Sequence, residues 1–186
     1  VLLGSTHDRY ATSHFPNATI LQYKSPPDIA LAVISGKVDA AFYARETLPE
    51  VLRTEPELGV ISDSLEEIPI GVGFSKDNQQ LRQQFNSFLA QTQQNGLYAD
   101  MVERWLGKGD TRMPHIPSTE VGGTLKVGNT SDKGLPFTIV KDGRLIGFDN
   151  ELAERFAAFL GKKIVYADME FGSLIAAAST NKIDAI

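Results

Sequence analysis

Hydrophobic residues recur along the chain at helical spacing in some stretches and as short continuous runs in others. The first pattern is typical of an amphipathic helix and the second of a strand that is buried on both faces. Two similar stretches occur where a helical pattern meets an apolar run: SGKVDAAFY at residues 35–43 and TNKIDAI at residues 180–186. This alternation predicts an α/β fold with mostly parallel sheets flanked by helices.

Residues 1–67 predict short strands that alternate with short helices, because Ser, Thr and Pro mark helix starts and Gly marks helix ends. The first predicted elements are strand Val1–Leu3, a turn at Gly4–Ser5, a helix capped by Thr6 and strand 18–23. A helix follows with N-cap Ser25 and Pro26 in its first turn. The last predicted elements of this part are strand Val38–Tyr43, a helix over 47–53 and strand 59–62.

A stretch rich in Pro and Gly at residues 108–123 lacks any hydrophobic period and predicts a linker between two structured parts. Before it, the pattern predicts strand 68–74, a helix with Leu81, Phe85, Phe88 and Leu89 inward and Asn95–Gly96 at its end, and a helix with Leu97, Met101, Trp105 and Leu106 inward. After it, the pattern predicts strand 124–130, a hairpin at Asp142–Gly143, a helix capped by Asp149 with Phe156 and Phe159 inward, strand 162–169, helix 171–180 and the beginning of a strand at 182–186.

Composition excludes several classes of function. The net charge is -5 with no basic cluster, so nucleic acid is not expected as a partner. The longest apolar runs are interrupted within about ten residues, so direct membrane insertion is not expected either. The chain has no cysteine, which removes disulfides and thiol chemistry. His7, His14 and His115 are scattered, and no catalytic triad order, P-loop or dinucleotide fingerprint is present. We therefore expect no enzyme activity, no catalytic residue, no metal site and no cofactor.

Two stretches, LPFTIVKDGRLIGFDNELAERFA and QQNGLYADMVERWLG, resemble the type II periplasmic solute-binding proteins, in particular extracellular solute-binding protein family 3 of the polar amino acid type. The resemblance implies a two-lobed, periplasmic-binding-protein-like II fold. It assigns residues 1–67 to the second lobe of a first solute-binding repeat and residues 68–107 to the returning strand and C-terminal helices of the first lobe. Residues 108–123 are the linker, and residues 124–186 are the N-terminal part of the first lobe of a second, truncated repeat.

Two arrangements of these parts are open at this point. In one, residues 68–107 pack against residues 124–186 and form a composite lobe, as in a circular permutation. In the other, two tandem repeats form separate units one after the other, and the second repeat is incomplete. In both, the chain is expected to be cut from a longer protein.

The resemblance also implies the residues of a ligand site. The turn Gly4, Ser5 and Thr6 matches the turn that holds the ligand carboxylate, since free amides at a helix N-terminus attract anions. The family's Asp for the ligand ammonium falls on Ala44, which has no carboxylate and departs from the pattern. The family places an aromatic wall and a polar contact in the loop that here contains Asp132, Leu135 and Phe137, although Phe137 suits a core position equally well.

The function implied is non-catalytic binding of a small polar solute, an amino acid or small carboxylate, for ABC-type uptake or for a membrane sensor. The expected partners are the solute and a transporter permease or sensor kinase. The expected location is periplasmic or extracellular, with anchoring through parts outside this chain left open. An enzyme on the same scaffold, dehydratase-like or fused to a cell-wall lytic domain, is the alternative, and an effector domain of a transcription regulator is disfavoured for want of a DNA-binding helix pair.

Overall fold

The structure is a computed structural model that describes residues 1–61 and 64–186. The α/β class predicted from the sequence is confirmed, because helices alternate with strands that pair in parallel. The helices are α1 (Thr6–His14), α2 (Pro26–Ile34), α3 (Leu48–Thr54), α4 (Gln79–Gln94), α5 (Leu97–Val102), α6 (Phe148–Phe159) and α7 (Phe171–Ser179), and the strands are β1 (Thr124–Asn129), β2 (Ile139–Lys141), β3 (Arg144–Ile146) and β4 (Lys163–Asp168).

The parallel pair of β1 and β4 is the centre of the fold. Its register runs from Thr124 opposite Lys163 to Asn129 opposite Asp168. The hairpin of β2 and β3 and the helix α6 lie between the two strands in the chain, as parallel strands require a crossover. The predicted strands 124–130 and 162–169 and the predicted hairpin are therefore confirmed.

The predicted strand 68–74 is not formed as such, because only residues 73–74 pair, and together with the chain end they extend this sheet on the other side of β1. Ala185 bridges Val127 in parallel and Phe74 in antiparallel fashion. Gly73 and Ile186 exchange two backbone hydrogen bonds of 2.8 and 2.9 Å. The segment before the linker thus pairs with the segment that ends the chain.

Helix α4 covers the sheet through aromatic side chains. The Phe85 and Phe156 rings meet edge to face at 5.1 Å, and Phe88 lies 5.4 Å from Phe156. Leu125 and Val127 of β1 belong to the same buried cluster. Residues 73–107 and 124–186 consequently share one hydrophobic core, which is the packing of the composite arrangement; the assignment of these parts to lobes and repeats stays a prediction.

A buried carboxylate fastens the end of α5 to α6. Glu151 is fully buried, and its Oε2 accepts a hydrogen bond of 2.7 Å from Trp105 Nε1. Its Oε1 accepts from Arg104 at 2.7 Å and from Arg155 at 2.9 Å. A π-helical turn at Glu103–Gly107 follows α5. Adjacent side chains of an α-helix diverge by about 100°, so the wider turn helps Arg104 and Trp105 reach one carboxylate.

Residues 1–61 form helices as predicted but no extended sheet. The predicted strands Val1–Leu3 and 18–23 reduce to one parallel bridge, Leu2 to Tyr23. The predicted strand Val38–Tyr43 is wrong, because these residues are irregular and pair with no neighbouring strand in the part of the chain that the structure describes. Predicted strand 59–62 is not a strand over residues 59–61, and Ser62 lies outside the described residues.

Three details of helix ends and helix faces also differ from the predictions. Ser5, not Thr6, is the N-cap of α1. Gly147, not Asp149, is the N-cap of α6, and Asp149 in the first turn instead pairs with Lys133 at 2.7 Å. Leu106 and Phe159 are 39% and 46% exposed, the first because the π-helical turn changes the spacing after Trp105.

The linker 108–123 contains neither helix nor strand, as predicted, but it lies against the second part of the chain. Gly122 donates its N–H to the carbonyl of Gly161 at 2.7 Å, and Met113 packs against the cluster of Met101 and Trp105.

Across residues 1–61 and 64–186 we find no helix with the length and apolar character needed to cross a bilayer.

We predict that Gly147→Ala destabilises the protein by about 3 kcal/mol. Gly147 has φ 133°, a backbone conformation that residues with a side chain rarely adopt, and a Cβ there would overlap the carbonyl of Phe137. Gly71→Ala is the matched control, because no atom lies within 4 Å of a Cβ at Gly71. Urea unfolding followed by circular dichroism measures both; equal midpoints for the two variants would contradict the prediction.

We predict that Glu151→Gln costs about 3 kcal/mol of folding free energy, since it removes the negative charge shared by two arginines inside the protein. The exposed pair Glu50–Arg53, with an oxygen to nitrogen distance of 2.7 Å, supplies the control. Glu50→Gln is expected to change stability by less than about 1 kcal/mol. Trp105 is the single tryptophan, so its fluorescence follows unfolding directly. A Glu151→Gln variant as stable as the control would refute the role given to this carboxylate.

Candidate functional site

The carboxyl ends of β1 and β4 lie side by side and carry polar side chains. Asp168 ends β4, and its two oxygens accept hydrogen bonds from the Ser131 N–H at 2.9 Å and the Ser131 hydroxyl at 2.7 Å. The Thr130 hydroxyl donates to the carbonyl of Met169 at 3.1 Å. Ligands of open α/β sheets bind at this end of the strands, so the geometry marks this edge as a candidate site.

The predicted turn Gly4–Thr6 starts helix α1 and is ordered by side-chain caps. Gly4 adopts φ 74°, which glycine tolerates, and donates its N–H to Asp8 Oδ2 at 3.0 Å. The Ser5 hydroxyl accepts from Asp8 N–H at 3.2 Å and donates to the Leu2 carbonyl at 2.7 Å. The amides of Thr6 and His7 make no hydrogen bond within the described residues, so they remain available to an acceptor.

The turn Gly4–Thr6 meets the start of α7. A Cβ on Gly4 would lie 3.8 Å from the Cα of Gly172. Next to this contact, Lys24 Nζ lies 3.0 Å from Glu170 Oε1. We call this contact surface the border: its first side is formed by Leu3, Gly4, Lys24 and Asp28, and its second side by Asp132, Asp168, Glu170 and Gly172.

The border combines positive helix ends with acidic side chains. Helices α1 and α7 both present their N-termini to it, and α2 begins two residues after Lys24. Partial desolvation raises the pKa of the Asp132 carboxyl, and the nearby carboxylates of Asp168 and Asp28 raise it further. Asp132 is thus held at the border among like charges, although its side chain remains accessible to solvent.

The other predicted site residues take part in local packing and local hydrogen bonds. Leu135 packs on the cluster of Met101, Trp105 and Ile146, and Phe137 is 5% exposed with Lys133 Nζ 5.0 Å from its ring centre. Ala44 is half-buried, and its carbonyl accepts from the amide and the hydroxyl of Thr47. A ligand contact of Ala44, Leu135 or Phe137 stays a prediction.

Sequence reasoning missed Lys24, Asp28, Asp168 and Glu170 as neighbours of the predicted turn. Asp168 carried a usable signal, since it ends a predicted parallel strand and such ends converge at one edge. Lys24 and Glu170 carried none, because 146 residues separate them.

Two shallow cavities lie along α1. One of 390 Å³ is lined by residues 14–18, and another of 320 Å³ lies between α1 and Gln22. In the portion of the chain described by the structure, no three His, Asp or Glu side chains converge on a common metal position.

Comparison with known proteins gives a family for the second part of the chain. Residues 125–186 match the family described as "Bacterial extracellular solute-binding proteins, family 3". The match covers β1 to β4, α6 and α7, and it includes all the residues of the second side of the border.

Individual relatives match between about a third and just over half of the chain. ABC transporter arginine-binding protein 1 of Escherichia coli (strain K12) is 25% identical over 107 residues, 55% of this chain and 44% of the relative. A protein of Campylobacter jejuni named "Probable histidine-binding protein" is 43% identical over 63 residues, 34% of this chain and 24% of the relative.

Among solved structures, the L-cystine solute receptor of Neisseria gonorrhoeae in its unliganded open conformation aligns with a TM-score of 0.32 and 31% identity, over 36% of this chain and 28% of that one. The chain spans less than half the length of the two curated relatives. Residues 125–186 are thus similar to the bacterial extracellular solute-binding proteins, family 3.

Proposed function

We propose that the protein binds a small polar solute without transforming it, and that the solute, an amino acid or small carboxylate, occupies the border when its two sides separate. The observation that carries the proposal is the meeting of the Gly4–Thr6 turn with α7, which lies in the part of the chain that matches the solute-binding family. The names of the arginine-binding and histidine-binding relatives support an amino acid as the solute.

Helix N-termini supply the anion-binding half of the proposed site. The free amides of Thr6 and His7 point out of the first turn of α1, where the helix dipole is positive. The Ser5 hydroxyl is already used in capping, so its role is to hold the turn rather than to contact solute. The solute carboxylate therefore binds backbone donors.

Carboxylates supply the cation-binding half. Ala44 has no side-chain acceptor for a ligand ammonium. Asp132 is accessible, and its pKa is raised by partial desolvation and by the charges of Asp168 and Asp28, so a positive group beside it would be attracted. Donors for an anion next to acceptors for a cation suit a zwitterion such as an amino acid.

The proposal extends to partners and location. A permease of ABC type is the partner favoured by the ABC transporter relative, and a membrane sensor is the second option. The description of the family supports a periplasmic or extracellular location. Residues 68–107 and 124–186 then act as one composite lobe and residues 1–67 as the other, with the linker 108–123 between the two parts of the composite lobe.

We predict that Thr6→Asp weakens solute binding at least tenfold without loss of folding stability. A carboxylate at the first position of α1 competes for the free amides, while a negative charge at a helix N-terminus stabilises the helix. Isothermal titration calorimetry with a panel of amino acids and small carboxylates measures the affinity of the chain and of the variant.

Thr12→Asp is the control for Thr6→Asp, since it adds the same charge to an exposed position further along α1. It is expected to bind like the unmodified chain. The proposed function is wrong if no solute of the panel binds, or if Thr6→Asp and Thr12→Asp bind equally well.

We predict that Asp132→Asn raises the melting temperature of the solute-free chain by about 1–2 °C at pH 7. The raised pKa of Asp132 means that the folded state holds this proton more tightly than the unfolded state. The carboxyl is therefore most favourable to folding at acid pH, and its contribution declines as the pH rises through its raised pKa. The difference between the variant and the unmodified chain should vanish below about pH 3.

The same variant should bind amino acids more weakly, because it removes an acceptor for the ammonium. Asp39→Asn, at an exposed position outside the border, is the control for both measurements. An Asp132→Asn variant with lower stability at pH 7, or with unchanged affinity for amino acids, would argue against the place given to Asp132.

A further inference from the structure

Lys24 and Glu170 connect the two sides of the border through their side chains. Lys24 directly precedes the N-cap of α2, and Glu170 occupies the N-cap position of α7. Their nitrogen and oxygen atoms lie 3.0 Å apart. Among the described residues, this is the only ion pair that joins residues 1–61 to residues 124–186.

The backbones of the two sides approach each other closely at this place. A Cβ at Gly172 would lie 3.8 Å from the Leu3 carbonyl oxygen, and one at Gly4 would lie 3.8 Å from the Gly172 Cα. No side chain separates the two sides here. Movement of residues 1–61 away from α7 would therefore break the backbone contact and the ion pair together.

The other charges at the border oppose this contact. Partial desolvation raises the pKa of the Asp132 carboxyl on the second side, and the negative charges of Asp168 on the same side and of Asp28 on the first side raise it further. Glu170 adds a further negative charge to the second side, which Lys24 neutralises. Without Lys24, carboxylates would predominate on both sides of the border.

We propose that Lys24 and Glu170 form a latch that holds the two sides of the border together in the absence of solute. This proposal rests on the proposed function only in taking the two sides as the walls of the solute site. The latch is weak, because the Lys24 and Glu170 side chains are 66% and 55% exposed. An exposed pair of this kind changes the ratio of closed to open molecules by about two- to fivefold and weakens in salt.

A weak latch suits a binding protein. A solute has to enter, so the closed state without solute must open readily, and a strong ion pair would reduce the apparent affinity by keeping the site shut. Solute contacts then add to the latch and shift the population toward closure.

The absence of cysteine makes the latch directly measurable, because two introduced cysteines carry spin labels without background labelling. Thr12→Cys on α1 and Ser179→Cys on α7 are exposed and lie on opposite sides of the border. Pulsed electron double resonance gives the distance distribution between the labels in solute-free protein. Lys24→Glu should raise the share of long distances about two- to fivefold.

Lys24→Glu combined with Glu170→Lys restores the opposite charges and should return the distribution to that of the labelled parent. Arg45→Glu makes the same charge change at an exposed position of residues 1–61 and should leave the distribution unchanged. One molar salt should move the parent toward long distances and Lys24→Glu toward short ones, because salt screens the attraction in the parent and the repulsion in the variant.

The latch is refuted if Lys24→Glu matches Arg45→Glu, or if the double exchange fails to restore short distances. Failure of the proposed function is distinguished by adding the solute panel: absence of any closure by solute overturns the function and leaves the latch result standing. Closure of Lys24→Glu by solute, to the extent seen in the parent, supports the function independently of the latch.

Discussion

The buried carboxylate of Glu151 links segments that are far apart in the sequence, and the rest of the structure depends on that link. It binds Arg104 and Trp105 beyond α5 and Arg155 within α6. Because α6 also carries Phe156 into the core against α4, one helix receives both the polar and the apolar contacts of residues 79–107. A buried charge is tolerated only when its partners are in place. The packing of these helices therefore fixes β1 and, through β1, the sheet edge at which the candidate site lies.

The candidate site depends on a contact between two differently organised parts. Residues 124–186 have a sheet and a shared core, whereas residues 1–61 have helices joined by irregular chain and one parallel bridge. They meet through glycine backbone and one exposed ion pair, which is a small and polar contact. Such contacts separate readily. The proposed solute binding needs this property, since the same surfaces have to open for the solute and close over it.

Helix starts, helix stops and the hairpin were predictable because they depend on neighbours in the sequence. Ser25 caps α2, Asn95–Gly96 ends α4, and Asp142–Gly143 turns the hairpin. The candidate site was predictable in part: the turn Gly4–Thr6 and Asp132 lie at the border, but Leu135 packs in the core. Lys24 and Glu170 were out of reach, because nothing local relates two charges 146 residues apart.

The two similar stretches SGKVDAAFY and TNKIDAI show what the sequence determines locally and what the tertiary structure determines. In both, the sequence by itself determined that a helix ends at a small residue before an apolar run, since hydrophobic spacing and chain stereochemistry are local. Only the tertiary structure decided whether that run is part of a sheet. Ala185 forms β-bridges with β1 on one side and with Phe74 on the other, and the Asp184 carboxylate accepts a hydrogen bond of 2.7 Å from the Lys126 N–H. Residues 38–43 pair with no strand in the described part of the chain, so they form no strand themselves. A strand of a sheet requires hydrogen bonds to a neighbouring strand.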